Sequence, residues 1–407
     1  VWGEPEYCNC RAVSEHRIDL RGAYFLCAAV AIRRELELLT SLADCGIEQY
    51  TRTMQGLQCA ATEEKTLTDE TSIPLPSAGE TVLDMTGSFV PGSAVPAVGQ
   101  VSVQGTLQLQ ICTQSGESGE LTVRSREIPV QQTVELPGAA EDDAVLVRGE
   151  VLACVLRADN ADSGAVEAAL SITWKLRIEL WRGVQYTVVA DAYSTLCKTQ
   201  TVQTACRLLQ KTADLAARIP VSIEDDLPDA DGTVAGCFVT LGALCAAAGE
   251  DGQTLHLLGK GTAHVFISDA RGELTCYDKP FTWQPDGSWS GGADGAWLSA
   301  GASVARVTSS KNGARLRVDL EIEVNGILLQ AQSFDALCSV ELGEAYDSSG
   351  EPALYIYYAR QGELIFDIAK RYHARAKDLA AANGLETDGR PQDTTAEAAC
   401  LLIPAAL

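Results

Sequence analysis

The chain has 407 residues, with 31 Lys+Arg against 55 Asp+Glu, four His, 14 Cys and two Met, and 46% of it is apolar. At roughly 150 residues per domain this makes two or three domains, each with enough apolar material for a core, which excludes disorder as the main state. The net charge of −24 opposes the counterion release behind nucleic-acid binding and opposes anionic membrane surfaces, and the longest uncharged apolar run, Ala23 to Ile32, stops at Arg33-Arg34, short of the roughly 18 residues that span a bilayer. Neither a nucleic-acid partner nor a membrane span is expected.

Fourteen Cys in 407 residues is far below the density of a disulfide scaffold. Cys27, Cys112, Cys154, Cys237 and Cys245 stand singly in apolar runs and read as reduced, buried, small apolar side chains of a cytosolic protein. Cys8-Asn9-Cys10 offers two thiols close together, but no second Cys or His cluster lies near it. No metal site and no cofactor are expected.

Along the chain, Arg17 to Ala43 reads as the closing strands of an incomplete β unit, residues 1–52. Ile73-Pro74-Leu75-Pro76 then opens a segment where Pro forbids a central strand. From Gln100, apolar Val101, Val103, Leu107, Leu109 and Ile111 alternate with polar residues, the pattern of a strand with one buried and one wet face. The same alternation returns at Val145 to Val155, at Ile172 to Leu180 and at Leu255 to Ile267. Gly105, Gly149, Gly259 and Gly261 interrupt these runs and are expected to mark bulges or bends.

The strands repeat. Gly87-Ser88-Phe89-Val90 matches Gly236-Cys237-Phe238-Val239, Gly119-Glu120-Leu121-Thr122 matches Gly272-Glu273-Leu274-Thr275, and Asp191-Ala192-Tyr193 matches Asp335-Ala336-Leu337. The order is kept at shifts of 149, 153 and 144, so two β-rich units are expected at 53–200 and 201–345. The second opens on Ile219-Pro220-Val221 and carries a Gly/Ser/Asp-rich stretch with Trp283, Trp289 and Trp297. That stretch reads either as an aromatic platform for sugar rings or, by preference, as a hairpin tip whose rings fold onto their own domain.

After a linker at 346–353 the texture changes. Leu354 to Tyr358 alternates like a strand, Ile365, Ile368, Ala369 and Tyr372 follow helical spacing, Leu379 and Ala382 mark a second short helix ended by Asn383-Gly384, and Leu401-Leu402-Ile403-Pro404 closes with a strand. Residues 354–407 are therefore expected to form a small βααβ domain.

The order Gly362-Glu363, Phe366-Asp367-Ile368-Ala369, Lys370-Arg371-Tyr372, Asn383-Gly384-Leu385 and Leu402-Ile403-Pro404 resembles a LysM domain. The resemblance implies binding of N-acetylglucosamine glycans such as peptidoglycan, in a groove made by Gln361, Gly362, Glu363, Leu364, Ile365, Asn383, Gly384 and Leu385. Leu364 stands where the family usually has a Thr or Ser hydroxyl. The second helix starts near Arg375 without a Ser or Thr cap, and the loop after Leu385 carries Glu386, Asp388, Asp393 and Glu397 beside Arg390. A more apolar lip and an acidic flap suit a protein partner better than a sugar. Lys370, Arg371, Arg375 and Lys377 make a local basic cluster, either a grip on an acidic partner or, by preference, solvated helix ends.

The β units, with Gly79-Glu80-Thr81-Val82-Leu83-Asp84, Arg126-Glu127-Ile128-Pro129-Val130 and Glu135-Leu136-Pro137-Gly138, resemble the β-rich SPOCS domain of Firmicutes spore-coat morphogenetic proteins, the clostridial ones among them. Together the two resemblances imply a mainly β chain: tandem β-sandwich or barrel-like SPOCS repeats followed by the LysM domain. They imply a non-catalytic scaffold or adaptor of spore-coat assembly, in the mother-cell cytoplasm at the forespore surface, with a coat or basement-layer protein as partner. The alternative is a peptidoglycan-binding protein of the cell wall or cortex.

Catalytic constellations are not found. Ser299 in Trp297-Leu298-Ser299-Ala300-Gly301 lacks the first Gly of a nucleophile elbow, and no phosphate-binding loop, His-Glu-x-x-His or Cys-x-x-Cys occurs. Asp229-Ala230-Asp231-Gly232 lacks the acidic twelfth position of a calcium loop, and His256 and His264 read as packing residues. The chain is expected not to be an enzyme.

Overall fold

The alternating runs form strands, and the computed structural model is mainly β. It describes residues 2–14, 16–28, 35–43, 46–74, 80–116, 119–157, 167–227, 232–269, 274–292, 295–347, 352, 354–385, 394–395 and 397–404, without the side chains of 2–10, 12, 27, 157, 167 and 274. Cys8 and Cys10 as thiols, Asp229 to Asp231, most of the linker and most of the acidic loop lie outside that description.

A hairpin of β1 (Trp2–Ser14) and β2 (Arg17–Cys27) comes first. Then follow β3 (Ile47–Pro74), β4 (Thr81–Ala97), β5 (Gln100–Gln114), β6 (Leu121–Glu135), β7 (Ala144–Arg157) and β8 (Glu167–Ser194). The next run is β9 (Cys197–Asp226), β10 (Thr233–Leu241), β11 (Cys245–Ala248), β12 (Thr254–Ser268), β13 (Leu274–Trp283), β14 (Trp289–Ser290), β15 (Ala296–Asn312) and β16 (Arg315–Ala345). The end of the chain is β17 (Leu354–Ala359), α1 (Ile365–Arg371), α2 (Ala376–Ala382) and β18 (Ala399–Pro404).

One sheet has the order β15-β16-β9-β3-β8-β7-β4-β5-β6; in a second, β12 pairs with β10, β11, β13 and β14; β17 pairs with β18. The registered pairs among the described residues are antiparallel. A long strand, a three-stranded meander and a hairpin ending on a long strand occur in that order from β3 to β8 and again from β9 to β16. Phe89 and Phe238 occupy matching places on β4 and β10, and Ala192-Tyr193 and Ala336-Leu337 are buried at matching places on β8 and β16.

The chain folds as two compact units. The first comprises Val1–Val30, Leu57–Gly183 and Leu209–Ala331, and the second Ala31–Gly56, Val184–Leu208 and Gln332–Leu407. β3, β8, β9 and β16 are 28, 28, 30 and 31 residues long, against a usual strand of about five or six, and each contributes residues to both units.

The core of the first unit is built from the alternating positions: Val101, Val103, Leu107 and Leu109 of β5 against Ile172, Trp174, Leu176 and Ile178 of β8, with the Phe89 ring stacked on Trp174 at 5.0 Å. Each such side chain removed from water contributes about 1.5–3 kcal/mol. Gly105 and Gly149 lie at or near bulges, since Gly105 pairs with Pro91, where the Pro91/Ala94 register shift begins, and Gly149 stands two residues before the Val151/Ala153 shift, whereas Gly259 and Gly261 lie in regular register with β13. A Cβ on Gly105 or Gly149 would run into the Phe89 ring, one on Gly259 into Trp283 and one on Gly261 into Phe281. These positions are glycine because an aromatic ring lies flat over the backbone there, one of the uses of Gly inside a strand.

Pro74 is the last residue of β3, an exit and not the expected entry position, and Pro220 lies within β9, beyond the point where Leu209 meets Leu57 of β3. Trp283 is buried in a core cluster, and Trp289 and Trp297 pack against apolar clusters of the same unit, so these rings fold onto their own unit. Cys112 and Cys237 are buried and Cys154 is half-buried, but Cys245 is exposed because β11 is a four-residue strand with β12 as its registered partner.

Candidate functional site

The expected binding residues lie in the second unit, where β17 and β18 pair from Leu354–Pro404 to Ala359–Ala399 and the two short helices close over them. Ile365, Phe366, Ile368, Ala369, Leu379, Leu401 and Ile403 form the core beneath. Two rings from distant strands complete it: Tyr50 of β3 and Tyr193 of β8 lie 5.6 and 5.1 Å from the Phe366 ring, and the Tyr193 hydroxyl donates to the carbonyl of Ala374 at 2.7 Å. Burial, with the Glu48 and Asp191 carboxylates, pushes the Tyr193 phenol well above its ordinary value, so it remains a donor.

Gln361 and Gly362 occupy the exposed turn after β17, and Gly362 takes φ +80°, a conformation that favours glycine. Glu363 is turned back on the module. Its carboxylate accepts from the Tyr357 hydroxyl at 2.6 Å and from the Arg360 backbone N–H at 2.9 Å, and these bonds hold it below the usual carboxylate range. Leu364 occupies the N-cap of α1 without a side-chain cap bond and bridges to Thr394, and Ile365 is turned into the core, 1% exposed.

Thr395 ties this turn together: its N–H donates to the Glu363 carbonyl at 3.0 Å, its carbonyl accepts from Gly362 N–H at 2.8 Å, and its hydroxyl donates to the Arg360 carbonyl. Sequence reasoning missed Thr395, Tyr50 and Tyr193. The first lies in an irregular stretch without periodicity, and the other two are more than 160 residues away from the module they complete.

The second expected loop is also structural. The Asn383 amide donates to the carbonyls of Leu379 and Leu402 at 2.8 and 2.7 Å and accepts from Leu402 N–H at 2.7 Å, clamping the end of α2 to β18. Gly384 takes φ +61°, and Leu385 packs against the module core. The bonds of the first loop thus run to Tyr357, Arg360, Thr394 and Thr395, and those of the second to Leu379, Ala380, Ala381 and Leu402.

The basic residues are partly engaged as well. Lys370 makes an ion pair with Asp191 at 2.5 Å, and Arg371 donates to the Tyr357 hydroxyl at 2.8 Å while its guanidinium lies 5.2 Å from that ring. Arg375 is the N-cap of α2 and, as expected, supplies no side-chain cap bond; Glu48 of β3 accepts from Ala376 N–H instead. Burial raises the Glu48 carboxyl against the lowering effect of Arg375 and that bond. Arg375 and Lys377 are exposed.

In the first unit, Ser299 is a core residue: it is 3% exposed and donates to Glu179, which also accepts from Arg148, from Arg177 at 3.0 Å and from Trp181 at 3.4 Å. Burial raises the Glu179 carboxyl, but Arg148, Ser299 and Arg177 overcome it and hold the group below its ordinary value. No helix among the described residues is long and apolar enough to cross a membrane.

Comparison with protein-family models, with curated proteins and with solved structures found no match.

Proposed function

We propose that this chain is a non-catalytic scaffold or adaptor of spore-coat assembly. In this reading tandem SPOCS-like β repeats form the body, and a LysM-like C-terminal module recruits a coat or basement-layer protein at the forespore surface. The reading rests on the residue resemblances.

One observation carries the choice of a protein partner over a sugar. Two of the three polar side chains at the groove positions, Glu363 and Asn383, are spent on bonds inside the module, which leaves Gln361 on the exposed turn as the polar one directed outward, and Leu364 and Leu385 are apolar and half-buried. Sugar recognition needs polar groups directed at the ligand, since a site built on hydrogen bonds discriminates by them.

The test is location and capture in sporulating cells. The tagged full chain is expected to surround the forespore from the mother-cell side and to co-purify with a coat or basement-layer protein. Exclusive secretion into the vegetative wall would overturn the reading. The alternative, peptidoglycan binding, predicts saturable co-sedimentation of the full chain with purified cortex.

A further inference from the structure

Outside the C-terminal module, three metal-ligating side chains of different chemistry meet on the outer face of the β10-β12-β13 sheet. His264 of β12 lies directly opposite Asp278 of β13, with Nδ1 2.7 Å from Oδ1. Cys276, two residues earlier on β13 and so on the same face, donates its Sγ–H to the same Oδ1 at 3.3 Å. The three ligand atoms lie within 4.8 Å of one another. On the other side of the imidazole, Nε2 is 3.0 Å from the Thr240 hydroxyl of β10. Phe238, opposite His264, and Phe266, opposite Cys276, meet edge to face at 5.3 Å and wall the cluster on one flank.

We propose that His264 Nδ1, Cys276 Sγ and Asp278 Oδ1 bind one zinc-class divalent transition-metal ion, with Thr240 fixing the imidazole by accepting from Nε2–H. The donor set selects the class. Calcium and magnesium take oxygen ligands, whereas one nitrogen, one sulfur and one oxygen suit zinc, with a fourth position left to water. Bonds of about 2.0–2.3 Å in tetrahedral geometry place ligand atoms about 3.4–3.6 Å apart, so the present hydrogen-bonded contacts need to open by less than about 1 Å. Thr240 plays the part of the outer hydrogen-bond partner that sets the tautomer and orientation of a metal-bound His. The sequence hid the site because Cys276-x-Asp278 and His264 come together only through the β12–β13 register.

The experiment uses the reduced, metal-free full chain titrated with cobalt(II), read by the thiolate-to-metal charge-transfer absorption and by competition with zinc. One equivalent of ion is expected, displaced by zinc and not by excess calcium or magnesium. Cys276→Ser is expected to abolish the band. His264→Ala and Asp278→Asn should each weaken binding at least about ten-fold, and Thr240→Val about ten-fold with the band retained. The Cys8→Ser/Cys10→Ser double variant should bind as the parent does. Absence of the band, or a band that survives Cys276→Ser in folded protein, would overturn the assignment. Should Cys276→Ser lower the folded signal, unchanged affinity in Asp278→Asn would do the same.

Discussion

The hydroxyl of Tyr193 donates a 2.7 Å hydrogen bond to the carbonyl of Ala374, joining residues 181 apart in the chain. The donor stands near the end of a 28-residue strand and the acceptor in the turn between the two helices, and the Tyr193 ring lies edge-on to Phe366 at 5.1 Å. The helical module is thereby built onto the strand ends of its own unit.

Tyr193→Phe keeps the ring and orphans the Ala374 carbonyl, so it is expected to cost about 1–2 kcal/mol. Tyr193→Ala should cost about 3–5 kcal/mol. Lys370→Met, which removes a half-exposed ion pair with Asp191, should cost under about 1 kcal/mol. Urea denaturation and hydrogen exchange at the α1 and α2 amides report all three, and equal effects of Tyr193→Phe and Lys370→Met would contradict the ranking.

Arg148→Met is expected to be severe, about 3–5 kcal/mol, because Glu179 remains a buried carboxylate without its main counter-charge. Adding Glu179→Leu to Arg148→Met should recover much of the loss. Glu179 is held below its ordinary value, so its contribution is present above the unfolded carboxyl pKa of about 4.3 and is lost as pH falls below it. Thermal melts of parent and double variant between pH 7 and pH 3 test the sign.

Gly105→Ala and Gly149→Ala should each cost about 1–3 kcal/mol by forcing Phe89 off its place above the backbone. Combining either with Phe89→Leu should cost less than the sum, since the clash is then gone. Strict additivity in denaturation midpoints would refute the ring-over-glycine account.

Asp225 predicts a second acid limb. Lys279 at 2.5 Å and the Tyr277 hydroxyl at 2.6 Å hold its carboxyl down to about 2. A depressed carboxyl stabilises the fold above its unfolded pKa of about 3.9 and loses that effect as pH falls towards 2. Asp225→Asn should therefore lower stability at pH 6 and leave it nearly unchanged near pH 2, as read by guanidinium midpoints.

Asn383 and Gln361 separate module stability from ligand binding. Asn383→Ala removes three bonds that clamp β18 and should destabilise the module by about 1–3 kcal/mol, whatever the module binds. Gln361→Ala, on the exposed turn, should leave stability within about 0.5 kcal/mol. Loss of cortex co-sedimentation in Gln361→Ala would favour the sugar reading; retention of partner capture in both variants would favour a protein surface elsewhere on the module.

The sequence by itself determined the mainly β character and the strand-helix-helix-strand order at the C-terminus, because burial on one face writes period two or 3.6 directly into residue order. It also placed the missing Ser or Thr cap at the start of the second helix near Arg375, since a cap is a property of one residue type at one position. Only the tertiary structure decided what meets across strands. Rings over Gly105 and Gly259, Ser299 beneath Glu179, Glu48 capping α2, Tyr193 under Ala374 and His264 beside Cys276 all depend on register. A register of partners tens to hundreds of residues apart leaves no local periodicity to read.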